Sequence, residues 1–204
     1  MRMGSGLFAF CLLVGAAGAQ EDTVARYGGD MASERSTVRV FYWDSAQQTS
    51  PGQLAFHFSA PEWKKEYSDQ AKFDEMTQGK IWRMGKDFWT VLDTNVPLTF
   101  GGQEVGVGAY YAGVQRSQDG ASWNLVLVDP DAVRKDRLDA FQIGQAPIAM
   151  TIPLEVQQAS EPVRKMNLQL LQEGEDKSAL TFRLEWGTWQ LTAPVQVNLG
   201  AGAS

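Results

Sequence analysis

The stretch Ser36-Thr37-Val38-Arg39-Val40-Phe41-Tyr42-Trp43-Asp44, followed after a turn by Leu54-Ala55-Phe56-His57-Phe58-Ser59, decides how the chain is read. Val38, Val40 and Tyr42 fall on one face of an extended segment, and Arg39, Phe41 and Trp43 on the other. A period of two is what a β-strand imposes, because successive side chains leave opposite faces. Apolar residues on both faces predict a strand at least partly covered on both sides. Thr49-Ser50-Pro51-Gly52 supplies the turn. Leu54, Phe56 and Phe58, alternating with Ala55, His57 and Ser59, make a second strand.

The same texture recurs downstream. Pro61 to Gly79 is charged and irregular, with Trp63, Tyr67, Phe73 and Met76 spaced for a short helix or a packed loop. Strand character returns over Lys80–Phe100, Gln103–Val114 and Ser122–Val128. Asp119-Gly120 between the last two is a hairpin signal, since a tight turn needs a residue that accepts positive φ. Asp129-Pro130 reads as a helix start, with an N-cap followed by proline at the first helical position, and the helix is expected to run to about Phe141. Ile148–Leu154, Met166–Leu171, Ala179–Trp186 and Trp189–Asn198 complete the set. About eight to ten strands with regular turn signals and one or two short helices predict an all-β antiparallel sandwich, immunoglobulin-like or jelly-roll-like.

Upstream the chain is of another kind. Arg2, the apolar run Leu7–Ala17 and the small residues Ala17-Gly18-Ala19 have the three-part layout of a secretory signal peptide, with cleavage between Ala19 and Gln20. The run is shorter than the ~20 apolar residues a membrane span needs. Cys11 raises a lipid anchor as a rival, but Phe8-Ala9-Phe10 precede it where a lipidation site wants small residues. The expected organisation is a signal peptide at 1–19, a flexible leader at 20–35, the sandwich at 36–199 and a small-residue tail at 200–204. The protein would then act in the periplasm or outside the cell.

Cleavage would leave 185 residues, 204 less 19, and would remove the only cysteine. Thiol catalysis, disulfides and cysteine metal sites would go with it. Loss of Arg2 takes the formal charge from −6 to −7. An acidic chain argues against nucleic acid and anionic membranes as partners. No second apolar run of membrane-spanning length follows. A glycan or an envelope component is the partner left to look for, and no cofactor is implied.

Several motifs resemble an uncharacterised bacterial family, domain of unknown function 2911. Leu54-Ala55-Phe56-His57-Phe58-Ser59-Ala60-Pro61 is similar to that family's strand ending in Tyr-Ser-Arg-Pro. Gly79-Lys80-Ile81-Trp82-Arg83-Met84-Gly85 is similar to its Gly-Lys-Val-Trp-Arg-Thr-Gly. Val96–Gly102, Val107–Tyr111, Trp123–Val128, Leu184–Trp186 and Ala193–Val197 follow its later strands, so the resemblance spans about residues 36–198. Two departures stand out. Ala60 replaces the arginine before proline, and Lys86-Asp87-Phe88 replaces an Ala-Asn-Glu after the Trp-Arg motif. The resemblance implies a secreted or periplasmic β-sandwich and brings no assigned activity.

Candidate chemistry is sparse. His57 is the only histidine, and Ser59 lies two positions on along the same face. A hydrolase would need that pair with an orienting carboxylate. A single histidine between Phe56 and Phe58, with no Gly-x-Ser-x-Gly elbow, reads instead as a structural strand residue. Asp129, Asp131, Asp136 and Asp139 suggest calcium, but Val133-Arg134-Lys135 occupies the middle of the loop, and a cap at Asp129 explains the pattern better. No metal site is assigned. The sharper candidates are binding residues. Arg83 next to Trp82 can bind a carboxylate or phosphate while the indole packs, with Asp87 four positions on; alternatively Trp82 is a core ring and Arg83 pairs internally with Asp87. Trp186-Gly187-Thr188-Trp189 can present two rings around a bend. The first functional reading is a non-catalytic exported domain, binding or envelope-associated. The second is a carbohydrate-binding module or carbohydrate-active enzyme, motivated by seven tryptophans. The third is a hydrolase using His57. Export predicts a mature protein beginning at Gln20, read by intact mass, and a secreted form retaining Met1 would overturn it.

Overall fold

A computed structural model describes residues 33–200, with Ser160 described in its backbone only. The proposed signal segment, residues 20–32 of the leader and residues 201–204 of the tail lie outside this range. Ten strands run in chain order: β1 Ser36–Asp44, β2 Thr49–Phe58, β3 Ile81–Trp82, β4 Thr90–Thr94, β5 Leu98–Phe100, β6 Gln103–Val105, β7 Gly108–Arg116, β8 Trp123–Val128, β9 Ile148–Gln172 and β10 Ala179–Val197. The helices are α1 Gln70–Thr77 and α2 Pro130–Asp136, with 3₁₀ turns at Lys65–Ser68 and Ala140–Gln145.

Every strand pairing is antiparallel, and the order is β1-β2-β4-β7-β8-β9-β10-β5-β6, with β3 joined to β7. The first part of β9, Ile148 to Leu154, pairs with β8, and from Glu155 the strand pairs with β10. The path therefore folds over at that point into two facing layers. Phe56 of β2 and Phe182 of β10 meet across the layers with ring centroids 5.3 Å apart, and Phe100 of β5 lies 5.4 Å from Phe182. Leu54, Leu92, Leu125 and Ile152 are fully buried around them. The alternation in β2, β8 and β10 places these residues inward, as period-two patterning requires. The fold is the all-β antiparallel sandwich expected from the sequence.

Several expectations are corrected in detail. β1 is an edge strand whose outer face is open, so Phe41 and Trp43 are 47% and 54% exposed rather than covered. Lys80–Phe100 is broken by an irregular loop between β3 and β4, where Met84 and Asp87 adopt φ of 48° and 65°. Asp129 caps α2 by accepting from the Asp131 N–H, but the helix ends at Asp136 because Arg137 turns left-handed, and Phe141 falls in a separate 3₁₀ turn. The four C-terminal segments are two long strands. Register slips between Glu185 and Trp189 let β9 bulge while β10 continues.

Gly187 sits at that slip with φ 60°, and a Cβ there would overlap the Trp63 ring packed on it. Both the backbone angle and the space demand glycine. Gly187→Ala should destabilise the domain by more than about 2 kcal/mol, measured as a shifted urea midpoint. An unchanged midpoint would refute the packing of Trp63 on this residue.

Candidate functional site

The segment after β2 crosses to the other layer. The Trp63 N–H donates to Arg164 O at 2.7 Å and the Met166 N–H donates to Pro61 O at 2.9 Å, a short antiparallel bridge onto β9. The chain then turns into α1, whose Asp69 cap accepts from the Ala71 and Lys72 N–H groups. Phe73 is the buried residue of α1 and stacks on Trp189 of β10 at 5.5 Å and 13°. Trp82 of β3 stacks on Trp186 of β10 at 4.7 Å and 14°, and Trp63 and Tyr67 close on Trp186 at 5.0 and 5.2 Å. The Trp186 indole N–H donates to Pro61 O at 3.1 Å, which fixes that ring.

These rings enclose a cavity of about 200 Å³, walled by Tyr67, Phe73, Trp82, Trp123, Trp186 and Trp189. Thr77 and Lys80 add polar atoms to its lining. Trp123 is 5% exposed, and its indole N–H has no hydrogen-bond partner among the described residues. A buried donor left unpaired costs free energy, and few native groups are left so.

Beside the wall lies Arg116, itself 5% exposed. Its guanidinium carbon is 5.7, 5.4 and 5.5 Å from the ring centres of Phe73, Trp123 and Trp189. Its Nη1 donates to Asp74 Oδ1 at 2.6 Å and to Thr77 Oγ1 at 2.9 Å, and its Nε donates to Gly120 O at 3.0 Å. The hydrogen bond from Arg116 holds the Asp74 carboxyl below its usual pKa.

The candidate residues divide. Trp82, Trp186 and Trp189 converge on the cavity. Arg83 and Asp87 do not line it. The Arg83 guanidinium lies 3.6 Å from the Phe141 ring centre, and its Nε donates to Gly85 O at 3.2 Å. Its pKa is lowered by burial, against the charges of Asp139 and Asp87. Asp87 instead accepts from the Ser33 N–H at 2.7 Å, and hydrogen bonds from Ser33 hold its carboxyl low. The expected Arg83–Asp87 ion pair is absent among the described residues, because the left-handed turn at Asp87 directs its carboxylate to the segment ahead of β1. His57 Nδ1 lies 3.0 Å from Thr37 Oγ1, and the buried Ser59 hydroxyl bonds to no described residue. Among the described residues no carboxylate bonds the imidazole, and no three His, Cys, Asp or Glu side chains are grouped to hold a metal ion. No helix among them is long and apolar enough to cross a membrane.

Sequence reasoning missed Arg116, Phe73 and Trp123 as parts of one site. Arg116 read as a hairpin residue, and nothing in its spacing links it to Asp74 forty-two positions away.

The model of the family "protein of unknown function (DUF2911)" matches residues 44–195, and the chain belongs to that family. No curated protein matches the chain, and neither does any solved structure.

The Asp74–Arg116 pair carries a pH signature. A carboxyl with a depressed folded-state pKa contributes stability above its ordinary value of 3.8 and loses it as pH falls through the lowered one. Asp74→Asn should therefore flatten the acid limb of the stability profile below about pH 4, followed by circular dichroism. An acid limb identical to the parent's would remove this pair from the account.

Proposed function

We propose that the protein is an exported, non-catalytic binding domain whose ligand site is the aromatic-walled cavity between α1, β3, β8 and β10. The signal-like layout of residues 1–19 supports export. The cavity itself carries the binding reading: three of the tryptophans singled out in the sequence meet there, beside the unpaired Trp123 N–H. Concave, mostly aromatic pockets with a few polar groups are the usual form of small-molecule sites. Its volume suits a one- or two-ring ligand, since an apolar cavity of about 150 Å³ accommodates benzene. The tie of His57 to Thr37, with no orienting carboxylate, weighs against the hydrolase reading.

The seven indole N–H groups make the test direct. Titrating the mature domain with indole should shift the side-chain ¹⁵N–¹H signals of Trp82, Trp123, Trp186 and Trp189, and leave Trp43 and Trp89 in place. Four unmoved cavity signals at millimolar indole would overturn the proposal.

A glycan-binding reading has its own observation. Phe41 and Trp43 stack at 6.1 Å and 24° on the open face of β1, with Arg39 over Phe41 and hydrogen-bonded to Gln53. Exposed rings flanked by polar groups suit a sugar face. Affinity electrophoresis through polysaccharide gels should then retard the parent and not Trp43→Ala, and equal mobility in both would reject this reading.

A further inference from the structure

The charge on the cavity lining is one-sided. The lining includes no carboxylate. The Lys80 ammonium is exposed at the rim and spends one hydrogen bond, to Glu75 O at 2.6 Å. An ammonium has three donors, so two remain for a ligand. The Trp123 N–H can only donate, and it is unpaired among the described residues. The Thr77 hydroxyl is already committed: it donates to Phe73 O at 2.7 Å and accepts from Arg116 at 2.9 Å. Of the side chains that wall the cavity, Tyr67 carries a hydroxyl that can donate or accept, whereas the Lys80 ammonium and the Trp123 N–H can only donate.

We infer that the ligand of this cavity is an aromatic carboxylate: a one- or two-ring planar body between the ring walls, with an anionic acceptor group to satisfy the free donors. This rests on the cavity being the binding site. Three features set the class. The volume limits the body to one or two rings. The stacked walls, Trp82 on Trp186 and Phe73 on Trp189, favour a flat apolar ring over an aliphatic chain. The donor excess selects an acceptor, and the cation at the rim selects a negative one. A sugar would bring hydroxyl donors as well as acceptors, and those donors find no carboxylate in this lining. A cationic ring is opposed by Lys80 and by the neighbouring Arg116.

The test uses three compounds that share one ring system and differ in charge: indole-3-acetate, indole and tryptamine. Each is titrated into the mature domain by calorimetry at low and moderate salt. The expected order is the acid about tenfold tighter than indole, with tryptamine weakest. Added salt should narrow the gap between acid and indole. Lys80→Met, at an exposed position, should remove most of the acid's advantage over indole. Trp123→Phe keeps the ring wall and deletes the donor, and should weaken the acid severalfold. Equal affinity for acid and indole, or an advantage that survives both substitutions, overturns the carboxylate assignment while leaving the cavity as a binding site. No binding by any of the three overturns the cavity reading as well.

Discussion

The guanidinium of Arg116 holds together the part of the molecule that is not simply sandwich. It stands at the end of β7, where the strand gives way to the hairpin into β8. From there it reaches α1 through Asp74 and Thr77, the hairpin through the Gly120 carbonyl, and β10 through the face of Trp189. An arginine with so little exposure has to be paired to be tolerated at all, and its fork provides for several partners at once. Beside the backbone bonds from the Gly79 N–H to Arg116 O and Ser117 O, it gives the helix and the hairpin a common side-chain anchor, and it is the charge that Phe73, Trp123 and Trp189 surround. The cavity is a by-product of that arrangement: large flat side chains crowd around a fixed cation and leave a space that none of them fills.

The crowding also explains why the tryptophans are so numerous. A sandwich core of this size closes with leucine, valine and phenylalanine, as the layer around Phe56 and Phe182 does. Five indoles are gathered instead around α1, where the crossing segment meets β3, β8 and β10. Rings packed edge-to-face and face-to-face bridge such mismatched elements without demanding a common register. Gly187 is the concession that makes it work, since the ring of Trp63 needs the room its side chain would take.

Much of the fold was legible in the sequence because it follows from period-two patterning. The alternation of Leu54, Phe56 and Phe58 announced β2, Asp119-Gly120 marked the hairpin between β7 and β8, and Asp129-Pro130 marked the start of α2. The continuity of the C-terminal strands was not legible, because Gly187 looks the same whether it ends a strand or bends one. The outward face of β1 was misread for a related reason: Phe41 and Trp43 look like core residues until the strand is seen to lie at the edge. At the site, Trp82, Trp186 and Trp189 could be named from local motifs. Arg83 and Asp87 were drawn in by proximity along the chain, and the left-handed turn at Asp87 separates them. Arg116 and Asp74 could not be paired, since only the passage of the 61–79 segment across the sheet brings them together.

The length of β10 has a consequence in time. This strand builds the second layer: it pairs with β9 along most of its course, and its last residues, Val195–Val197, pair with Leu98–Phe100, about a hundred positions earlier in the chain. Pairings across such separations must overcome the entropy of closing a long loop before any gain is realised. A chain delivered from its N-terminus would hold β1 to β8 without the strand that completes the second layer, with Phe56 and Phe100 lacking the ring of Phe182 that packs on both. The second layer is thus complete only once the last strand has paired.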